Sequence, residues 1–247
     1  MVKGLDTFRE YFGNYPDEYV LIGGAACDIL FDNSNASFRV TRDLDMVLIV
    51  EALSEEFGKQ FWRFVRDGGY INKAKSTGEP QFYRFSSPSE EDFPKMIELF
   101  ARTDWLDEAT DITPIHIDDN VSSLSAILLN DAYYKLLLEG RTVVDDLSVL
   151  RPSWLILFKA KAWLDLRDRN EKGEHISQGE INKHRNDIAR IAAEMILDEC
   201  ATAGEVREDI TRFLEETDIN DSLVHDLKLY GVKASEIKDR LRTIYLY

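Results

Sequence analysis

Two aspartates, Asp43 and Asp45, open the apolar run Met-Val-Leu-Ile-Val at residues 46–50 of this 247-residue chain. In a strand, successive side chains point to opposite faces, so the two carboxylates share one face and Leu44 and Met46 share the other. Neighbouring anions at the start of a buried strand repel each other and lose hydration, a cost that a cation between them offsets. Ligands made only of oxygen favour a hard divalent ion, Mg2+ or Mn2+, over zinc. Twenty residues earlier the sequence reads Tyr19-Val-Leu-Ile-Gly-Gly-Ala-Ala. A glycine pair between a strand and a helix leaves the backbone open to close approach. The N–H groups and dipole of the helix that follows suit a phosphate. A hard-metal site and a phosphate site in one α/β unit together point to a metal–nucleotide complex.

Gly23–Gly24 on a strand-to-helix turn, followed by Arg39-x-Thr41-x-Asp43-Leu-Asp45 and an apolar strand, resembles the DNA polymerase β-type nucleotidyltransferase superfamily. The closer likeness is to its minimal, AbiEii-like members, some of which are toxins of toxin–antitoxin pairs. The 18 residues between Gly24 and Asp43 make a longer spacer than the compact form of the pattern. The resemblance implies transfer of a nucleoside monophosphate from an NTP to an acceptor hydroxyl or phosphate, with release of pyrophosphate. It implies Mg2+ (or Mn2+) held by Asp43, Asp45 and a third carboxylate on a later strand. Gly23, Gly24, Arg39 and Thr41 would attend the nucleotide. The acceptor stays open between an RNA end such as that of tRNA, a small molecule and a protein, and an antitoxin protein is an implied partner. A catalytically silent member that binds nucleotide or a partner protein is the alternative.

The best match for the third carboxylate is Glu98, the single acid within Lys95-Met-Ile-Glu-Leu-Phe-Ala. An acid inside an apolar strand needs a partner, which leaves two readings: a metal ligand and nearest general base, or a buried ion pair with an arginine. Asp104 and Asp107 are the fallback. Arg39 likewise either lines the site or offsets local negative charge. In the second half, Phe158-Lys159-Ala-Lys161 and the later Lys183-His-Arg-Asn-Asp187 resemble the family's second signature, in which a helical Lys faces the nucleotide phosphates. One acid of that signature is missing here. Lys159 and Lys161 lie about 200° apart on a helix, so one site cannot take both. Lys161 shares a face with Leu157 and Leu164 and is the one expected to point inward at the nucleotide.

The elements that must position these residues follow from periodicity. A strand is expected over residues 18–22, a helix from the glycine pair to about 31, and a strand over 43–50. Ser54 caps a helix over 54–67 whose apolar face is Phe57, Phe61, Phe64 and Val65. Strands are expected at 70–75, 81–86 and 95–102, with shorter ones at 113–117 and 142–144. Beyond Pro152 the pattern is helical: 152–171, 178–198, 205–216, 221–229 and 233–245, with Gly173, Gly204 and Gly231 as stops. The expected class is α/β (α+β): a nucleotidyltransferase-type mixed sheet flanked by helices over 1–150, then a C-terminal helical domain over 151–247. The active site is expected in the cleft between the two.

Composition bounds the partners. The chain carries 30 basic and 46 acidic residues, a net charge of −16. That balance argues against a broad surface for duplex DNA. Only residues 151–195 are net basic, with 9 basic and 7 acidic residues. A tRNA end would need that local charge, whereas a polycationic small molecule would suit the acidic first half. No apolar run approaches the roughly 20 residues of a membrane helix, and the first ten residues lack a signal-peptide core, so a cytoplasmic location is expected. Two cysteines provide neither a disulfide framework nor a four-cysteine zinc site. Walker, Gly-x-Ser-x-Gly and His-Glu-x-x-His patterns do not occur.

Overall fold

The computed structural model describes residues 2–34, 36, 38–39, 41–49, 51–71, 84–101 and 131–247. The chain divides into two compact units, Met1–Leu150 and Arg151–Tyr247. The first is a mixed sheet flanked by helices and the second is helical. Among the described residues, the first unit runs α1 (Leu5–Phe12), β1 (Tyr19–Ile22), α2 (Gly23–Asn33), β2 (Asp43–Leu48), α3 (Glu55–Asp67), β3 (Arg84–Ser86), β4 (Met96–Phe100), α4 (Asp131–Gly140), β5 (Arg141–Val144) and β6 (Leu147–Leu150). The six strands form one sheet in the order β3-β4-β2-β1-β6-β5.

Hydrophobic patterning explains that order. The four residues of β1 are all apolar or aromatic and all buried, which suits a strand covered on both faces. It lies between β2, to which it is antiparallel, and β6, to which it is parallel. β2 runs parallel to β4, and β3 is antiparallel to β4. Pairing Tyr19 with Leu48, Leu44 with Ile97 and Ile97 with Phe85 gathers the large apolar side chains on one face. Helices α1 and α3 cover it with Phe8, Phe12, Phe57, Phe61 and Phe64, all buried. Phe8 meets Tyr19 edge-on at 5.6 Å, and Phe61 meets Phe85 at 5.3 Å. Ser54 caps α3 as expected, its hydroxyl accepting from the Phe57 N–H at 3.1 Å. The Glu18 carboxylate accepts from the Ser54 N–H at 2.7 Å, tying the entrance of β1 to the start of α3.

Several expected elements change. Of the strand expected at 70–75, the described part is a single bridge from Ile71 to Ser86. The strand at 113–117, Asp104, Asp107 and His116 lie outside the described residues. Helix α4 and strand β6 were not anticipated. β5 and β6 form a hairpin whose turn, Asp145–Asp146, has φ of 47° and 65°. Such turns are signalled by Asn-Gly or Asp-Gly, and two aspartates hide the signal.

The second unit comprises α5 (Pro152–Glu171), α6 (Gln178–Glu194), α7 (Gly204–Glu216), α8 (Asp221–Asp226) and α9 (Ala234–Leu246). Pro152 enters α5 at its first turn, where its missing N–H costs nothing. Ser177 and Glu180 form a reciprocal capping box at α6. That helix ends at Glu194, short of residue 198. Gly204, with φ 51°, opens α7 rather than ending a helix. No helix among the described residues is long and apolar enough to cross a membrane.

Candidate functional site

Strand register lines up one polar row. Ile22 of β1 pairs with Asp45 of β2, Asp45 with Glu98 of β4, and Glu98 with Arg84 of β3. Residues directly paired across a sheet share a face, so Arg84, Glu98 and Asp45 stand side by side. Asp43, two residues before Asp45, joins the same face one step along, beside Met96. This is the face turned away from the aromatic layer of α1 and α3. Asp43 and Asp45 are half-buried, whereas Glu98 is buried at 7% exposure.

The glycine pair is fitted to this row. Gly23 has φ 67°, and a Cβ added there would lie 1.9 Å from Asp45 Oδ2. A Cβ on Gly24 would lie 2.5 Å from Thr41 Oγ1 and 3.1 Å from Thr41 Cβ. The absent side chains therefore admit this chain's own Asp45 and Thr41 to the start of α2. The sequence reading took the glycines as space for a ligand. In the structure, that space is taken by the second half of the same motif. Ile22, the N-cap residue of α2, makes no side-chain capping bond, the first turn of the helix carries no acid, and its positive end lies beside Asp45. Gly23, Gly24, Thr41 and Asp45 are thus brought together, with Glu98 the register neighbour of Asp45.

Glu98 makes the ion pair that was one of its two readings. Its Oε1 accepts from Arg84 Nε at 2.5 Å and also takes the second guanidinium nitrogen, Nη2. Among the described residues, no group of three or more His, Cys, Asp or Glu is gathered to hold a metal ion. The Asp43, Asp45 and Glu98 side chains share a face without closing into a three-carboxylate cluster. Arg39 lies with its guanidinium 5.3 Å from the ring centre of Phe38, which packs on Phe31 of α2. Arg84 is the residue that sequence reasoning left unnamed. Its signal was an arginine at alternating spacing in an expected strand, next to a strand with one buried acid.

Of the two lysines of α5, Lys159 is the more deeply buried. Its Nζ lies 2.8 Å from Asp187 Oδ2, with side-chain exposures of 4% and 1%. Asp187 thus has a clear place in the helical unit. Lys161 lies among Asp165, Asp209 and Glu205 at 3.6, 3.4 and 3.6 Å. Burial alone would lower the Lys161 pKa, but the three carboxylates outweigh it and hold the ammonium above its usual value. Lys161 therefore points inward at acids of its own unit. His184, between Lys183 and Asp187 in α6, is half-buried.

The chain as a whole matches no family model, no curated protein and no solved structure. The sheet, its register and the Gly23–Asp45 fit therefore rest on this chain's own residues, and they define a mixed α/β unit followed by a helical one.

Proposed function

We propose that the first unit is a metal-dependent nucleotidyltransferase that moves a nucleoside monophosphate from an NTP to an acceptor hydroxyl or phosphate and releases pyrophosphate. The observation that carries this reading is the seating of Asp45 between Gly23 at the start of α2 and Glu98 on β4. A divalent ion and a phosphate need adjoining sites of opposite character, and here an acidic strand meets a helix N-terminus. Asp43 and Asp45, half-exposed oxygen donors on one face, fit Mg2+ or Mn2+ and are the residues that would hold it. When bound, the ion supplies charge stabilisation to the triphosphate and makes the acceptor oxygen more acidic.

The remaining work falls to the chain. The Gly23–Gly24 turn offers its N–H groups to phosphate oxygens, and Thr41 sits against Gly24 to fix that turn. Glu98 is the carboxylate in the row that takes the proton of the acceptor as its oxygen bonds to the α-phosphorus and pyrophosphate leaves. The acceptor is an RNA end, a small molecule or a protein side chain. One observation favours a second reading, a catalytically silent protein that binds nucleotide or a partner: Glu98 is engaged by Arg84.

Thermal unfolding with each of the four NTPs, with and without Mg2+, tests the proposal on wild type and Asp45→Asn. A ligand at about 100 times its Kd adds roughly 2.7 kcal/mol of stability, a clear shift in midpoint. The reading expects a Mg2+-dependent shift that Asp45→Asn abolishes, together with pyrophosphate release when acceptor is supplied. A shift without pyrophosphate release from any acceptor class supports the silent reading. No shift with any NTP overturns the nucleotidyltransferase reading and leaves the silent protein that binds a partner.

A further inference from the structure

We infer that Arg84 is a built-in counter-cation that competes with the divalent ion for Glu98, so that metal entry and opening of the Arg84–Glu98 pair are coupled. The inference rests on the reading that Asp43 and Asp45 hold such an ion. Glu98 and Asp45 are directly paired across parallel strands, and two carboxylates at that spacing repel unless one is neutralised. Arg84 neutralises Glu98 from the other side, because β4 lies between β3 and β2 in the sheet. The guanidinium therefore draws Glu98 toward β3 and away from the aspartates, in keeping with the lack of a gathered three-acid group among the described residues.

The two partners differ in freedom. Glu98 has a side-chain exposure of 9% and is fixed on an inner strand, whereas Arg84, on the three-residue β3, is 36% exposed. Arg84 can swing outward, while Glu98 stays within the sheet. A divalent ion at Asp43 and Asp45 brings two positive charges to the same row. It both repels the guanidinium and supplies the charge that Glu98 needs. Both guanidinium nitrogens take the same oxygen, Oε1, so the competition is one of charge: each cation weakens the hold of the other on the carboxylate.

Mn2+ titration calorimetry on wild type, Arg84→Gln, Arg84→Lys and Asp45→Asn tests this. Deleting one positive charge beside a divalent ion should tighten Mn2+ binding by about tenfold in Arg84→Gln. Arg84→Lys keeps the charge but breaks the two-nitrogen grip, and its affinity should fall between the two. It also keeps the test open if Arg84→Gln does not fold. Without metal, Arg84→Gln should unfold at a lower temperature than wild type and gain more from Mn2+. Affinity in Arg84→Gln equal to or weaker than wild type overturns the inference, weaker binding meaning that Arg84 positions Glu98 instead. Mn2+ binding that Asp45→Asn leaves unchanged overturns the metal reading itself, and absence of binding in every variant overturns both.

Discussion

The carboxylate of Asp45 occupies the space in which a side chain on Gly23 would begin, with Oδ2 1.9 Å from that position and Cγ 2.9 Å from it. This fit joins the two halves of the motif, 22 residues apart, into one local structure. Gly23 meets two demands there. Its φ of 67° is left-handed backbone that favours glycine, and its missing Cβ admits the carboxylate.

Gly23→Ala should therefore be costly in two separable parts. The left-handed backbone contributes about 1–2 kcal/mol, and the overlap with Asp45 adds to it. In urea unfolding, Gly23→Ala should lose more than the backbone part. Adding Asp45→Gly should recover the overlap and leave the backbone cost. Equal stability of the single and double variants would mean that Asp45 moves aside freely.

The buried pair in the helical unit behaves differently from a surface bridge. Asp187→Ala removes the buried carboxylate that faces the Lys159 ammonium and should cost about 3–5 kcal/mol in chemical denaturation. Replacing both, as Lys159→Met with Asp187→Leu, should restore most of that loss, because the desolvation of two ions is removed together. A double variant as unstable as Asp187→Ala would show that the pair contributes more than charge compensation.

Much of this was legible from residue order. The alternation in Asp43-Leu-Asp45-Met gave the face of each side chain in β2, and Ser54 with Phe57, Phe61, Phe64 and Val65 gave α3. Those signals are local, set by period and capping. Partner choice is not local. That Glu98 faces Arg84 depends on the register in which β3 pairs with β4, and that Lys159 is buried more deeply than Lys161 depends on where Asp187 of α6 arrives. Leu157 and Leu164 made Lys161 look inward, and it is, toward the acids of α5 and α7. Hairpin β5–β6 was missed because its turn is built from two aspartates with positive φ.

Lys161 holds three carboxylates, Asp165, Asp209 and Glu205, within 3.6 Å. Burial raises the Asp165 pKa above its usual range, with Lys161 opposing that rise. Lys161→Met should leave the acids repelling one another and lower stability by about 1–2 kcal/mol. Asp209→Asn in the same chain should return part of it. The coupling is read from a double-mutant cycle in urea, and strict additivity would exclude the cluster as the cause.

Arg212 supplies the clearest dependence on pH. Its Nη1 and Nη2 donate to Asp168 Oδ2 and Oδ1 at 2.8 and 2.5 Å, bridging α7 to α5. These hydrogen bonds hold the Asp168 carboxyl below its usual pKa. A carboxylate with a lowered folded pKa stabilises fully above its unfolded pKa, and that stabilisation is lost as pH falls through the folded value. The loss therefore lies below about pH 4, the ordinary aspartate range. The pair is only partly buried, so screening limits the contribution to about 1 kcal/mol or less. Asp168→Asn should lower stability at pH 7 and lose less than wild type between pH 4 and pH 2. Added salt should narrow the gap at pH 7. Parallel pH profiles for the two proteins would mean that Arg212 draws its stabilising partner from Glu216, 3.0 Å from its Nε, rather than from Asp168.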